Sequence, residues 1–396
     1  MLTVIADDLT GAAEIAGIGY RYGVDVKFTI HNAQCTMHNA QFTIHNAQLT
    51  QSEQSISLTP YLSPLTTNKN SKLQTLLVVA TDIRQMTEEE AMNTLRETAR
   101  ALPHEGKIFL KVDSALRGHV VAMLQSLLEV THYTHALYLP ANPSRGRTIA
   151  GGRMLIHGMP IHETEFAHDP EFPIRQASIG ALFPGMRTWT GHPERGIYYT
   201  DIQSTDDITR ILTLADSNCL IAGAADAFEA LLRQRGAHVS RPSSGAAFPL
   251  QDVIIVCGST QSKPLSTGIT VAPMPAEVYH AKVGAETWAA AIASRYAEEG
   301  AVVLRIDHQG RTGRQAALWL REAMATTVEK LVEIRPPRHI IVEGGATAFA
   351  IIHRLGWQQW EVADEIAPGV VALSHGDCTL TLKPGSYPWK NGVKKS

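Results

Sequence analysis

The sequence predicts an α/β protein of two domains, each a mainly parallel sheet flanked by helices. Three observations carry this. The chain has 396 residues, more than one hydrophobic core usually holds, and chains of that length divide. Short apolar runs of strand length alternate with helical patterns along most of the sequence, as parallel strands joined by crossover helices require. The stretch 236–250, which includes Arg241-Pro242-Ser243-Ser244-Gly245, interrupts the alternation before it restarts. A boundary near 245 is expected, giving domains of 1–245 and 246–396.

Leu2-Thr3-Val4-Ile5-Ala6 reads as the first strand, followed by Asp7-Asp8-Leu9-Thr10-Gly11 and an Ala-rich helix over 12–22. Residues 76–80 form a second strand. Thr87-Glu88-Glu89-Glu90 then opens a helix, with a threonine cap and acidic groups that complement the helix dipole. Strands are expected at 107–112 and 136–139, with a helix over 120–130 between them. Residues 140–200, rich in Pro, Gly and His, read as loops around a pocket or interface. Later strands fall at 220–223, 253–257, 301–306 and 339–342. One feature stands apart: Phe28-Thr29-Ile30-His31-Asn32-Ala33-Gln34 recurs at 35–41 and 42–48. Its apolar positions do not make a coiled-coil seam, so 28–51 reads as a tandem duplication lengthening a surface connection. His31, His38 and His45 recur in register, but no carboxylate or cysteine repeats with them to complete a metal site.

Composition narrows the function. Hydrophobic residues at 44% and charged residues at 18% describe an ordinary globular chain. A net charge of -3 supplies no electrostatic reason to bind nucleic acid or anionic lipid, so small-molecule partners are expected. Cys35, Cys219, Cys257 and Cys378 form no metal motif or disulfide framework and fit a reducing compartment. The N-terminus reaches Asp7 and Asp8 without the basic and long apolar segments of a signal peptide, and no apolar run has bilayer length. A cytoplasmic protein without membrane contact is the expectation.

Six segments can carry chemistry. Asp7-Asp8-Leu9-Thr10-Gly11 sits at the carboxyl end of a strand, the edge where open parallel sheets bind ligands. Paired carboxylates there can accept a hydroxyl proton or hold magnesium, or they can serve only as a helix cap. Their adjacency excludes the Asp-x-Asp-x-Thr pair of haloacid-dehalogenase-type phosphatases. In Lys111-Val112-Asp113-Ser114-Ala115-Leu116-Arg117-Gly118-His119, Arg117 can fork onto a carboxylate or phosphate while Asp113 orients it; a structural ion pair explains the two equally well. Arg145 and Arg147 flank Gly146 in an anion site or a solvated loop. Cys257-Gly258-Ser259-Thr260-Gln261-Ser262 and Glu343-Gly344-Gly345-Ala346-Thr347-Ala348 each follow a strand, and their small residues let backbone amides approach phosphates. Neither is a Walker A loop or a Gly-x-Gly-x-x-Gly turn. Each alone reads equally as a tight strand–helix turn, but two in one domain favour a nucleotide. The missing glycine fingerprint disfavours a dinucleotide-dependent oxidoreductase. Lys383-Pro384-Gly385-Ser386 offers a third contact.

In this order the segments resemble the four-carbon acid sugar kinase family. The resemblance rests on Ile5-Ala6-Asp7-Asp8-Leu9-Thr10-Gly11-Ala12, Thr81-Asp82-Ile83-Arg84, 111–119, 140–148 and 158–170. In the second half it rests on Gly258-Ser259, Gly344-Gly345-Ala346-Thr347, Pro368-Gly369-Val370 and Lys383-Pro384-Gly385. It implies an ATP-dependent phosphotransferase acting on an alcohol group of a threonate, erythronate or 2-oxo-tetronate type acid, with magnesium and a cleft between the domains. Carried over by position, Asp7, Asp8 and Arg117 are catalytic, and Asp82, Arg84, Asp113, Arg117 and Arg147 bind the acid. Ser259, Gly344, Gly345, Ala346, Thr347 and Gly385 contact the nucleotide, and no metal ligand is assigned. Ile83, Ala115, His119 and the ending Lys383-Pro384-Gly385-Ser386-Tyr387 depart from the family pattern. Those departures leave a non-catalytic sugar-acid sensor as the alternative. A homodimer is expected from enzyme base rates.

Overall fold

The computed structural model describes residues 1–31, 75–102, 106–169, 172–258, 268–311 and 313–385. Strands and helices alternate as the apolar runs dictate. In the first half they are β1 (Leu2–Ala6), α1 (Leu9–Arg21), β2 (Asp25–Ile30), β3 (Thr75–Ala80), α2 (Glu88–Arg100), β4 (Lys107–Lys111), α3 (Val120–Val130) and β5 (His135–Leu139). Three short strands follow, β6 (Arg147–Ala150), β7 (Arg153–Ile156) and β8 (Met159–Pro160), then β9 (Arg187–Thr188), β10 (Gly196–Tyr199), α4 (Thr205–Leu214), β11 (Cys219–Gly223) and α5 (Ala225–Gln234). The second half contains β12 (Val253–Cys257), β13 (Val271–Pro273), α6 (Glu286–Glu299), β14 (Ala301–Arg305), α7 (Arg314–Ile334), β15 (His339–Glu343) and α8 (Gly345–Leu355). It closes with β16 (Gln359–Ala367), β17 (Val370–His375) and β18 (Cys378–Lys383).

Both halves share one sheet, in the order β13-β14-β12-β15-β18-β17-β16-β2-β3-β1-β4-β11-β5-β10-β9. The first-half strands in it are parallel, and so are β13, β14, β12, β15 and β18. The halves join where β16 pairs antiparallel with β2, Trp360 opposite Phe28. With the β16–β17 and β17–β18 pairings also antiparallel, three reversals separate β2 from β18, so the parallel strands of one half run opposite to those of the other. Strand twist of roughly 20–25° per step offsets this reversal over the six steps from β1 to β15. The carboxyl ends of β1 and β15 therefore meet. A Cβ built on Gly345 would lie 2.9 Å from Thr10 Cγ2.

Helix α1 lies against the strands of the junction. It packs on β16 and β17, and a Cβ on Gly17 would stand 2.6 Å from Val371 Cγ2, so only glycine permits that approach. One apolar core runs through both halves, from Leu2, Val4 and Ile5 to Ile340, Val342, Leu380 and Leu382. A smaller cluster of Phe248, Val253, Ile255, Val303 and Ile341 covers the other face of the second-half sheet. The expected cap of α2 is a full capping box: Glu90 accepts from the Thr87 amide at 2.8 Å while the Thr87 hydroxyl accepts from the Glu90 amide at 3.4 Å.

Two expectations change in detail. Residues 147–160 fold into a small antiparallel sheet of β6, β7 and β8 rather than loop alone. The heptapeptide repeat starts inside β2, where Phe28, Thr29 and Ile30 are buried and paired with β3. Its first residues therefore belong to the sheet and not to a surface connection. His31 is buried, and desolvation lowers its pKa; His38 and His45 lie outside the described residues. Among the described residues no helix is long and apolar enough to cross a membrane.

Candidate active site

Three strand ends of the first half, β1, β3 and β4, converge on one acidic core. Asp7 follows β1 directly, and its amide donates to Lys111 O at 3.2 Å, holding it beside β4. After β3 the chain turns through Asp82, a left-handed residue at φ 50°, and the Arg84 amide donates to Asp7 O at 3.1 Å. The Arg84 guanidinium then forks onto Asp7, with Nε 2.9 Å from Oδ2 and Nη2 2.8 Å from Oδ1. Its Nη1 reaches Asp8 Oδ2 at 3.1 Å and Asp113 Oδ1 at 3.8 Å. Asp7 is fully buried and Arg84 is 7% exposed.

A second fork stands beside the first. Arg117 donates to Asp113 through Nε and Nη2, each at 2.9 Å, and through Nη1 to Asp169 at 3.0 Å. Asp113 Oδ2 also accepts from the Ala115 and Arg117 amides. Asp8 caps α1, with Oδ1 accepting from the Gly11 amide at 2.9 Å and Oδ2 from the Thr10 hydroxyl at 2.6 Å. Its side chain keeps 14% of its surface exposed.

Burial and pairing separate the carboxyls electrostatically. Burial pushes Asp7 up to about 6, Arg84 pulling it back only in part while Asp8 adds repulsion. Burial acts on Asp8 too, but Arg84, Lys111 and the Thr10 hydroxyl outweigh it and hold Asp8 below the usual range. At Asp113 burial is overwhelmed by Arg117 and Arg84, so its pKa falls well below the usual value. Arg84 itself is held well above its ordinary pKa because Asp7, Asp8 and Asp113 together outweigh its desolvation.

These shifts have a consequence for stability. A carboxyl whose folded pKa exceeds its unfolded value binds its proton more tightly in the folded chain. Its support for folding is full below the unfolded value of 3.8 and is withdrawn as pH rises through about 6. Asp8 and Asp113 act in the opposite sense, contributing above 3.8 and losing that contribution as pH falls. Asp7→Asn lacks the group whose support is withdrawn, so in urea unfolding it should gain stability relative to the parent protein as pH rises from about 4 to about 6. A difference constant across that window removes the assignment to Asp7.

Two adjoining cavities lie near this core, the smaller reaching it through Ser114, the neighbour of Asp113. One of about 460 Å³ is lined by Glu14, Ser114, Arg147, Thr164 and Phe166. Arg147 donates to the Ser114 hydroxyl, and both it and Arg117 lie over the Phe166 ring, at 5.3 and 5.6 Å. The other, of about 620 Å³, lies between the halves and is lined by Glu14, Asp226, Phe248, Glu365 and Lys383. Glu14, Asn142 and Arg145 line both, and Arg145 crosses the cleft to donate to Pro368 O at 3.0 Å.

On the second half, Gly344 ends the turn after β15 at φ 106° and its amide donates to Lys383 O. No side chain caps α8, so the first amides of that helix, around Gly345, Ala346 and Thr347, have no intrahelical partner. A Cβ on Gly258 would stand 2.4 Å from Thr347 Oγ1, so Gly258, directly after β12, packs against the start of α8. Lys383 and Glu343 form a buried pair at 2.7 Å behind them. Gly385 is exposed at the end of the described residues, and Ser259 lies outside them.

The structure thus brings together Asp7, Asp8, Arg84, Asp113 and Arg117, places Arg147 on the adjoining cavity, and sets Gly345 against Thr10. Both Asp7 oxygens are engaged by Arg84, and Arg84 and Arg117 are spent on carboxylates, whereas Arg147 faces the cavity. For Asp82 the clear role is the left-handed turn that returns Arg84 across β1. Asp226 was not among the expected site residues; it accepts from the Ser144 amide and hydroxyl at 2.8 and 2.7 Å. Its place in the first turn after β11 was the available signal.

Residues 2–226 match the family described as a sugar-binding N-terminal domain, and 272–387 that described as a nucleotide-binding C-terminal domain. The chain is similar to a D-erythronate kinase of Heliobacterium modesticaldum, 33% identical over 110 residues, covering 27% of this chain and 25% of that protein. It is similar to a D-threonate kinase of Salmonella typhimurium, 31% identical over 121 residues, 29% of this chain and 28% of the relative. These two matches span about a quarter of the relatives' length. A 3-oxo-tetronate kinase of Methylobacterium radiotolerans aligns at 24% identity over 78% of this chain and 86% of its own. Two solved structures share the fold at 16% identity. A Haemophilus influenzae protein has a TM-score of 0.64 over 99% of this chain and 98% of that one. A Salmonella typhimurium protein described as a putative tRNA synthase has a TM-score of 0.68 over 98% and 96%.

Proposed function

Since the chain belongs to the four-carbon acid sugar kinase family, we propose that it transfers the γ-phosphoryl group of ATP to a hydroxyl of a threonate- or erythronate-class acid. The observation that carries this reading is the contact between the acidic turn 7–10 and the glycine turn 344–347 at the cleft, Gly345 against Thr10. A phosphoryl donor and a hydroxyl acceptor held at those turns are neighbours, and positioning supplies much of the rate in such reactions.

The residues divide the work. Uncapped amides at the start of α8, with Gly258 packed beside them, fit a nucleotide's phosphates, because the approach is glycine-lined and the helix dipole favours negative charge there. Arg147 grips the substrate carboxylate from the smaller cavity. Asp8, the partly exposed carboxylate of the core and ionised well below neutral pH, accepts the hydroxyl proton. The freed oxygen forms its bond to the γ-phosphorus as the bond to the bridging oxygen breaks, and ADP leaves. Arg84 holds Asp8 in place, while Asp7 and Asp113 hold the two arginines. Among the described residues no three His, Cys, Asp or Glu side chains are grouped to hold a metal. Magnesium would therefore arrive on the nucleotide's own phosphates, whose charge it neutralises. Burial pushes the free thiols of Cys219, Cys257 and Cys378 up to about 12, inert forms that suit a reducing cytoplasm.

The test is ADP release with magnesium and ATP against a panel of threonate, erythronate and oxo-tetronate stereoisomers. Release that depends on one acid is expected. A folded protein that binds an acid in calorimetry but releases no ADP across the panel would be a sugar-acid sensor, and phosphoryl transfer would be withdrawn.

A further inference from the structure

Lys111, whose charge helps to hold Asp8 ionised, also pairs with Glu14, which none of the roles above uses. Lys111 ends β4 and is 4% exposed. Its ammonium has three N–H donors and donates to Val112 O at 3.2 Å. Glu14 Oε2 stands 3.7 Å away, within ion-pair range but beyond a hydrogen bond. Gly11 packs closely against the pair: a Cβ there would lie 3.0 Å from Lys111 Nζ and 2.6 Å from Asp8 Oδ1, so only glycine leaves the ammonium its place beside Asp8. Glu14 lines both cavities, so its carboxylate stands where a substrate in the smaller cavity meets the cleft, with the Lys111 ammonium buried behind it.

The chemistry of the pair selects its ligand. A carboxylate or phosphate is repelled by Glu14 and an amine by Lys111, whereas a hydroxyl donates to the first and accepts from the second. Two hydrogen bonds of about 2.8 Å span the 3.7 Å separation. We propose that Glu14 and Lys111 form a hydroxyl-reading subsite that selects acids carrying a second hydroxyl besides the one phosphorylated. This rests on the acid-sugar reading of the neighbouring site.

Calorimetric titration of D-threonate, D-erythronate and their 2-deoxy and 3-deoxy analogues tests it without depending on turnover. The parent protein is expected to bind one of the intact acids and to lose about tenfold in affinity for one deoxy analogue. Glu14→Gln and Lys111→Met should each weaken the intact acid about tenfold while leaving that deoxy analogue within about twofold. Glu14→Gln keeps the shape of the side chain and suffices if the lysine variant fails to fold. Equal weakening of intact and deoxy acids would assign the pair a structural role, and unchanged binding would remove the subsite outright. If the parent protein binds neither intact acid, the acid-sugar reading falls first and the subsite with it.

Discussion

Replacing Arg84 by alanine is expected to lower the unfolding free energy by about 3–5 kcal/mol and to abolish acid-dependent ADP release. The large effect follows from what the guanidinium leaves behind. Asp7 is fully buried and both its oxygens accept from Arg84, so its charge loses both halves of the fork at once. Asp8 and Asp113 lose the shared cation as well. Arg84→Lys should recover only part of either quantity, because one ammonium cannot reproduce a planar fork reaching three carboxylates. Urea unfolding and the release assay read the two quantities separately. An alanine variant of ordinary stability would mean that water enters the core and solvates Asp7, and the fork would lose its structural role.

Asp8→Asn should separate chemistry from folding. Asparagine keeps an oxygen for the Gly11 amide and so retains the cap on α1, and stability should change by less than about 1 kcal/mol. Turnover should fall by about 10²–10⁴-fold, the usual contribution of a positioned proton acceptor. ATP affinity should hold, since Asp8 makes no contact with α8 in the arrangement proposed. Undiminished turnover would remove Asp8 from the base role. A collapse in stability would show instead that its charge chiefly anchors Arg84.

Much of this protein is legible in its sequence. The helix 120–130 and the strand 253–257 lie at the expected residues, because apolar periodicity and strand length are local properties. The acidic turn stands out for a similar reason: a carboxylate pair directly after an apolar strand is conspicuous by position alone. Lys111 and Glu14 are harder to see. A lysine ending one strand and a glutamate inside an Ala-rich helix carry no local sign of each other, being 97 positions apart in the sequence.

Local pattern sets the α/β class, the places where strands end in polar turns, and the two sets of turns suited to acid and phosphate. Each is fixed within a few residues by side-chain volume, polarity and backbone freedom. Which of those turns meet is a property of the folded sheet. Strand order is not sequence order here: β2 separates β3 from β16, and β11 lies between β4 and β5. The fork of Arg84 on Asp7 joins residues 77 apart, and Gly345 reaches Thr10 through the accumulated twist of six strand steps across a junction where direction reverses. Such pairings depend on how the whole sheet is ordered and twisted, and no local pattern encodes that.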